Sequence, residues 1–552
     1  MVRGRARSRA VRERWNTVSR DTASPGAAPH GPEPHGPASH NPASRGGTPH
    51  DPASGGTTSP HAASPGWVSP GWVSLGRVSP GPVSPGAVPA GTFALGVASR
   101  ELSTRRSASR GSVVLRRLLT LLSALVVLCA LPAPALAVED GAGSADPLRP
   151  VIFIHGSSGS GGQFETQARR LTGNGFPAAL IETHEYDSTF ATTTPEAVYA
   201  ALDARIDRLL ERSGADRVDL LAHSLGTLLT QSYLRGSPAR AAKVAHYVNL
   251  DGRTSPDLPG GVPTLAVWGE GDPSRAVGGA RNVYFTGQGH TETVTSEETF
   301  AEFYRFLHGE APRTTRIVPE LYITLSGRAL LFPSNVPVEG VRLEIHRVDP
   351  LTGARLGSRP EAVQVLGADG AWGPVRAKGT AHYEFALVWD EHSTHHLYFP
   401  PFERSDHLVR LLTSRPGEGV SGQVETGDGH SALTVTRQKE WWGDQGEAGD
   451  TLSVEGTQLL NAANTPRAKR TIGLFAFDAG SDRVTDLSAP LSPFFETPFL
   501  TGVDVYLPAT SRWSRPLTLV SRPRGEGGRT DVLRVPAWPS STDRISVQFN
   551  DH

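Results

Sequence analysis

The sequence predicts an α/β chain, a doubly wound parallel sheet, followed by an all-β region. Three observations carry that reading. Between Val151 and Gly309, short apolar runs alternate with stretches of helical spacing. One run leads through a serine-bearing turn directly into a helix. From Arg316 onward, strand-like runs are separated by Gly-, Pro- and Asp-rich turns, and long helical patterns are absent.

The chain has 552 residues and a formal charge of −1, so its charge balance gives no reason to expect a nucleic-acid partner. Its 60 Gly and 45 Pro are unevenly placed. The one cysteine, Cys129, rules out a disulfide framework and a cysteine-based zinc site. Residues 1–112 are rich in Ser, Pro, Gly, Ala and His, with 13 Arg against 5 acidic residues. Ser64–Val88 repeats every five residues (SPGWV SPGWV SLGRV SPGPV SPGAV). Such a stretch buries too little apolar surface to offset about 1–2 kcal/mol of backbone entropy per residue, so it is expected to be a low-complexity, disordered extension.

Residues 113–137 (VVLRRLLTLLSALVVLCALPAPALA) combine two arginines, the apolar run Leu118–Leu131 and the small-residue end Ala135-Leu136-Ala137. This is the pattern of a secretory signal peptide. The run is short of the roughly 20 residues a membrane span needs, so no transmembrane anchor is expected in the mature protein. Met1 is the only methionine. A signal peptide this far from it suggests that residues 1–112 are translated upstream sequence, with a start at Val113 or Val114. Cleavage is expected after Ala137. The product would be a secreted protein, extracellular or, in a cell with two membranes, periplasmic.

Residues 148–312 are expected to form the catalytic domain. Strands are predicted at Val151–Ile154, Ala179–Thr183, Arg217–Ala222, Val244–Leu250, Thr264–Trp268 and Asn282–Phe285. These near-continuous apolar runs suit a parallel sheet covered on both faces. Helical spacing is read at Gln163–Leu171, Pro195–Arg212, Leu225–Leu234 and Glu297–Leu307, with Val198, Leu202, Ile206 and Leu209 forming one apolar stripe. Residues 316–552 are expected to be β-rich, in two sandwich-like halves (316–413 and 422–552).

The strand Arg217–Ala222 runs into His223-Ser224-Leu225-Gly226, then a helix. This is a nucleophile elbow, with Ala222 where the common pattern has Gly. The turn exposes the serine hydroxyl, and the helix N-terminus offers N–H groups to a developing oxyanion. The base and acid must follow in the order serine, acid, histidine. His290, in Gly287-Gln-Gly-His290, comes after the last strand and before the last helix. Asp251 and Asp272 both end up beside later strands and compete as the acid. Bare topology favours Asp272, and Glu270 is a weaker third. The Gly-rich loop after Ile154 should supply one oxyanion N–H and the residue after the serine the other, which names Ser157 and Leu225. No Lys follows that loop, so a phosphate-cradling P-loop is excluded. A serine in the elbow argues against dehalogenase chemistry.

The stretches HGSSGSGGQFETQ (155–167), SGADRVDLLAHSLGT (213–227), RAAKVAHYVNLDG (240–252), GVPTLAVWG (261–269) and ARNVYFTGQGHTETVTSEETF (280–300) resemble α/β-hydrolase lipases. The similarity is strongest to the thermophilic archaeal lipase type with a C-terminal β-rich domain. YEF (383–385) and PPFERSDHLVRLLTSR (400–415) extend it. The resemblance implies Ser224 as nucleophile, His290 as base, Asp251 rather than Asp272 as acid, and Ser157 and Leu225 at the oxyanion positions, with no cofactor or metal. It implies a lipase or carboxylesterase acting on an ester or lipid substrate. Those lipases carry a helical lid after the second strand. Here Tyr186-Asp187 leads through Ser188–Thr194 into the helix at Pro195, with no lid-sized segment.

A polyester depolymerase or a short-chain esterase is the alternative activity, and an inert hydrolase-fold binding protein a remote one. The β-rich region could dock on lipid aggregates or insoluble polymer. Pro493-Phe494-Phe495, Phe499-Leu500 and Trp441-Trp442 could form apolar patches, though ordinary core packing is the simpler expectation. His392, His395 and His396 (EHSTHH) lack the acid-rich partners of a metal site.

Overall fold

The computed structural model describes residues 148–510, 515–525 and 529–551. All lie in the second of the two units into which the chain divides, Ala133–His552. The extension 1–112 and the signal-like segment 113–137 lie outside the described residues.

Six strands, β1 (Val151–Ile154), β2 (Ile181–His184), β3 (Val218–His223), β4 (Val244–Leu250), β5 (Thr264–Trp268) and β6 (Arg281–Tyr284), form one sheet in the order β2-β1-β3-β4-β5-β6. Every pair is parallel. Four helices cover it: α1 (Glu165–Gly173), α2 (Pro195–Ser213), α3 (Leu225–Arg235) and α4 (Glu297–His308). Side chains alternate along each strand, so the two faces have separate cores. Phe153, Leu221, Val248 and Leu265 pack with Leu171 of α1 and Phe300 and Phe303 of α4. Ile152, Ile154, Leu220 and Tyr247 pack with the α2 stripe Val198, Leu202, Ile206 and Leu209, and with Leu229 and Tyr233 of α3. This doubly wound sheet is the α/β-hydrolase fold expected from the sequence.

Local chemistry sets the helix ends. Thr194 Oγ1 caps α2 by accepting from Ala197 N at 3.2 Å, Pro195 occupies its first turn, and Gly214 ends it at φ 71°. Ser296 and Gly309 do the same for α4. Strand ends differ from expectation by one or two residues. Ala179 and Leu180, expected to open β2, belong instead to a 3-10 turn over Ala178–Leu180, started by the fixed φ of Pro177. Between β2 and α2, residues 185–194 form a loop pinned by Asp187, whose carboxylate accepts from the backbone N–H and hydroxyl of both Thr189 and Thr192.

The β-rich region has an eight-stranded sheet at its centre. Its order is 362–365, 342–348, 382–390, 393–399, 543–548, 433–441, 471–477 and 500–504. Two four-stranded sheets pack on it. One, built from 322–331, 371–378 and 406–413 with 336–337 at its edge, covers the first half around Leu325, Trp372, Phe385 and Leu411. The other, built from 451–454, 457–458, 516–522 and 531–536, covers the second half around Val435, Trp441, Leu519 and Val547. Sandwich packing is thus present twice, yet one sheet runs through both sandwiches. The C-terminal strand 543–548 joins them by pairing in parallel with 393–399 on one side and 433–441 on the other. No local pattern encodes a pairing between residues 100–150 positions apart.

Candidate active site

The elbow is built as its sequence requires. Ser224 sits between β3 and α3 at φ 50°, ψ −118°, a strained conformation for a residue with a Cβ. The turn is held by Ser224 N donating to Leu250 O at 3.2 Å. Thr227 Oγ1 donates to Ser224 O at 2.7 Å and accepts from Arg253 N at 2.7 Å. Gly226 allows the close approach: a Cβ there would lie 2.6 Å from both the Ile154 and His155 carbonyl oxygens at the end of β1. Ser224 itself stays partly exposed.

His290 and Asp251 are buried and directly joined, with Nδ1 and Oδ2 2.6 Å apart. Asp251 follows β4 at φ 40°. Its other oxygen accepts from Gly269 N and from Arg275 Nη1, both at 2.9 Å. Burial pushes its carboxyl up, but the His290 hydrogen bond and charge, then Arg275, outweigh this and hold it at about 2. The donor to Asp251 leaves His290 Nε2 as the ring's free nitrogen, and that atom is buried with no hydrogen-bond partner among the described residues. The imidazole packs 4.6 Å from His223, whose own pKa burial drives well below the usual value. His223 Nε2 meets the His290 carbonyl at 3.1 Å.

Asp272 is elsewhere. Its carboxylate is exposed and accepts from Ser274 N at 2.8 Å. Glu270 turns toward the β-rich region and pairs with Arg467 and Arg470. Of the three acids weighed, the geometry joins Asp251 alone to His290.

The loop after β1 reaches the serine. A Cβ on Gly156 would stand 3.0 Å from Ser224 Cβ. Gly156 N donates to Gln163 Oε1, Ser158 N to Ser188 Oγ at 2.9 Å, and Gly159 N to the Gly156 carbonyl. The Ser157 and Leu225 N–H groups have no acceptor among the described residues. The loop is braced from the β-rich region, where Asn335 Nδ2 donates to Gly159 O at 2.7 Å. Arg410 and Gly161 N both donate to Glu185 Oε1.

Several contributors carry no sequence signal. Arg275, Asn335 and Arg410 are brought in by tertiary contacts with no fixed spacing from the serine. Gln163 lies inside the HGSSGSGGQFETQ stretch but has no motif role. Phe499 stacks nearly parallel to His290, with ring centroids 6.4 Å apart. Phe499 also lines a cavity of about 140 Å³ in the β-rich region, whose walls include Ser158–Ser160, Phe332, Leu397, Phe399, Phe475 and Leu500. Ser224 and His290 do not line it; Phe499 and the loop connect the two. Phe494 and Leu500 are core residues, as are Trp441 and Trp442. His395 is held between Thr413 and Ser546 and His396 between Glu384 and Asp543, while His392 is exposed. Among the described residues no group of three or more His, Cys, Asp or Glu is placed to hold a metal.

The family model described as Lipase C-terminal domain matches residues 321–416. A second C-terminal-domain model matches residues 419–552. Similar solved structures include a gene product of Listeria innocua (14% identity, covering 31% of this chain and 97% of that one, TM-score 0.24). Aspergillus fumigatus lipase B is similar at 13% identity, over 30% of this chain and 54% of that one, with a TM-score of 0.25. Est1E from Butyrivibrio proteoclasticus is similar at 13% identity, over 31% and 92%, with a TM-score of 0.23.

Proposed function

We propose that this chain is a secreted serine ester hydrolase that cleaves carboxylic esters of lipids through an acyl-enzyme on Ser224. The observation that carries the reading is the buried His290–Asp251 pair with a free Nε2, packed against His223, the residue that precedes a serine on a strained strand-to-helix turn. His290 takes the Ser224 proton as Oγ attacks the ester carbonyl. The oxyanion is met by the Ser157 N–H in the loop after β1 and the Leu225 N–H at the start of α3, where the helix dipole adds to the stabilisation. Asp251, ionised throughout, stabilises the imidazolium and fixes its tautomer. His290 returns the proton to the leaving alcohol, and water releases the acid by the reverse route. No cofactor takes part.

The matching Lipase C-terminal domain supports a lipid ester over other acyl substrates, as does the largely apolar cavity beside the loop. The resemblance to the archaeal lipase type points the same way. The short 185–194 loop leaves room for a second reading, a short-chain esterase or polyester depolymerase, because no helical segment covers the site there.

Hydrolysis of p-nitrophenyl esters from two to sixteen carbons by residues 138–552, beside Ser224→Ala, tests the proposal. Serine-dependent turnover favouring long chains is expected. A preference for acetate would select the esterase reading, and no ester turnover by folded protein would refute both. N-terminal sequencing of protein from the culture medium should begin at Val138; a product retained with residues 113–137 would contradict secretion. Among the described residues no helix is long and apolar enough to cross a membrane.

A further inference from the structure

The loop that carries His290 is held from outside the α/β-hydrolase sheet. Its contact is Glu440, fully buried near the end of the strand Leu433–Trp441. The ladder between that strand and 471–477 is interrupted between Thr436 and Trp441. Residues 437–440 are thereby released from regular pairing and can turn toward residues 289–292.

The Glu440 carboxylate accepts three hydrogen bonds, all from the two residues that follow His290. Thr291 N reaches Oε1 at 3.3 Å, Thr291 Oγ1 reaches Oε2 at 2.6 Å, and Glu292 N reaches Oε2 at 3.0 Å. Glu440 N in turn donates to Thr291 Oγ1 at 3.1 Å. On the other flank Gly289 lies so close that a Cβ would fall 1.9 Å from Glu440 Oε1. The residues on both sides of the imidazole therefore rest against one carboxylate. Glu292 is fixed in addition by Arg524 at 2.7 Å and Lys439 at 3.0 Å. Arg524 and Arg437 converge on Asp450.

A buried carboxylate is costly unless its oxygens are satisfied, and a well-packed apolar side chain would fill the space more cheaply. What the carboxylate supplies is fixed acceptors for backbone N–H groups adjoining the base. We infer that Glu440 is a positioning residue for His290, and that the second sandwich is thereby a working part of the catalytic site. The inference rests on the serine hydrolase reading above. Glu440 acts through the loop: it sets where the imidazole sits between Asp251 and Ser224.

The test compares Glu440→Ala, Glu440→Gln and Gly289→Ala in residues 138–552, using the preferred p-nitrophenyl ester. Misplacing a catalytic group by about 1 Å can cost on the order of 100-fold. Glu440→Ala should lower kcat by roughly 10–100-fold with KM changed less than about threefold, because the base is displaced while the acyl site is untouched. Glu440→Gln, which can keep the acceptor for Thr291 Oγ1 and Glu292 N, should recover most of kcat. Gly289→Ala pushes the loop off an intact Glu440 and serves if the alanine variant does not fold; it should reproduce the kcat loss. The strongly deshielded proton of the His290 Nδ1–Asp251 bond, read by proton NMR, reports the same displacement without turnover. It should broaden or shift in Glu440→Ala and Gly289→Ala and persist in Glu440→Gln. Should wild type hydrolyse no ester, the hydrolase reading fails while this resonance still judges the positioning. A folded Glu440→Ala with wild-type kcat and an unchanged resonance would overturn the inference.

Discussion

Asp251 and Asp272 sit 21 positions apart, and only their surroundings tell them apart. Asp251 is buried and gives one oxygen to His290 and the other to Gly269 N and Arg275, whereas Asp272 faces solvent. Asp251→Asn should lower kcat/KM by about 10⁴-fold, the scale expected when the wrong imidazole tautomer is imposed, and Asp272→Asn should leave it within about twofold. Steady-state kinetics on both variants checks this; a reversed order would move the acid to Asp272. Because its folded pKa is held at about 2, below the usual 3.8, Asp251 stabilises the fold above about pH 4, and this is lost as pH falls toward 2. The elbow at Ser224 and the His290 loop of the candidate site were legible because an elbow imposes local rules on small and polar residues. The choice between the acids was not, since bare topology pointed to Asp272 and only the resemblance to the lipases favoured Asp251. Arg275, which completes the Asp251 shell, has no spacing that announces it.

At the scale of the element, the parallel sheet was readable because its inner strands are buried on both faces and therefore largely apolar. Three of them, 151–154, 244–250 and 264–268, run over the residues the pattern gives. The β-rich character of the second region was legible in its runs and turns, but which strands pair was not, because antiparallel and parallel neighbours have the same local composition. The loop 155–162 illustrates the consequence. Its Gly-rich sequence announces a tight turn, while Asn335 and Arg410, which hold it, come from strands and turns 170–250 positions away. Asn335→Ala removes the donor to the Gly159 carbonyl without touching a reacting group. It should lower kcat by about 3–30-fold through a looser oxyanion loop, with the melting temperature reduced by only a few degrees. Unchanged kcat would show that the loop holds its shape unaided.

For the whole molecule, the α/β domain and the β-rich region share further buried polar contacts. Glu165 of α1 accepts from Gln548 Nε2 at 2.9 Å, and Asp406, Asp551 and Arg169 lie around it. Burial, then the Asp406 charge, push Glu165 up to about 8 from 4.5, against the pull of Arg169. A carboxyl raised in this way binds its proton more tightly when folded, so its stabilisation is complete below about pH 4.5 and lost as pH rises toward 8. Glu165→Gln keeps the neutral shape at every pH. Its melting temperature relative to wild type should therefore rise by several degrees between pH 5 and pH 8.5, as differential scanning calorimetry would record. A constant difference would mean that Glu165 is ionised in the fold. The continuous eight-stranded sheet makes a related point: the two sandwiches were expected as halves, yet the last strand ties them into one body.

The most direct test of the central claim is covalent labelling. Residues 138–552 would be treated with a long-chain fluorophosphonate and digested, and the adduct located by mass spectrometry. The account predicts one phosphonylated residue, Ser224, with labelling slowed by orders of magnitude in His290→Ala and absent in Ser224→Ala. A folded protein that stays unlabelled at Ser224, or that labels equally well without His290, would contradict it.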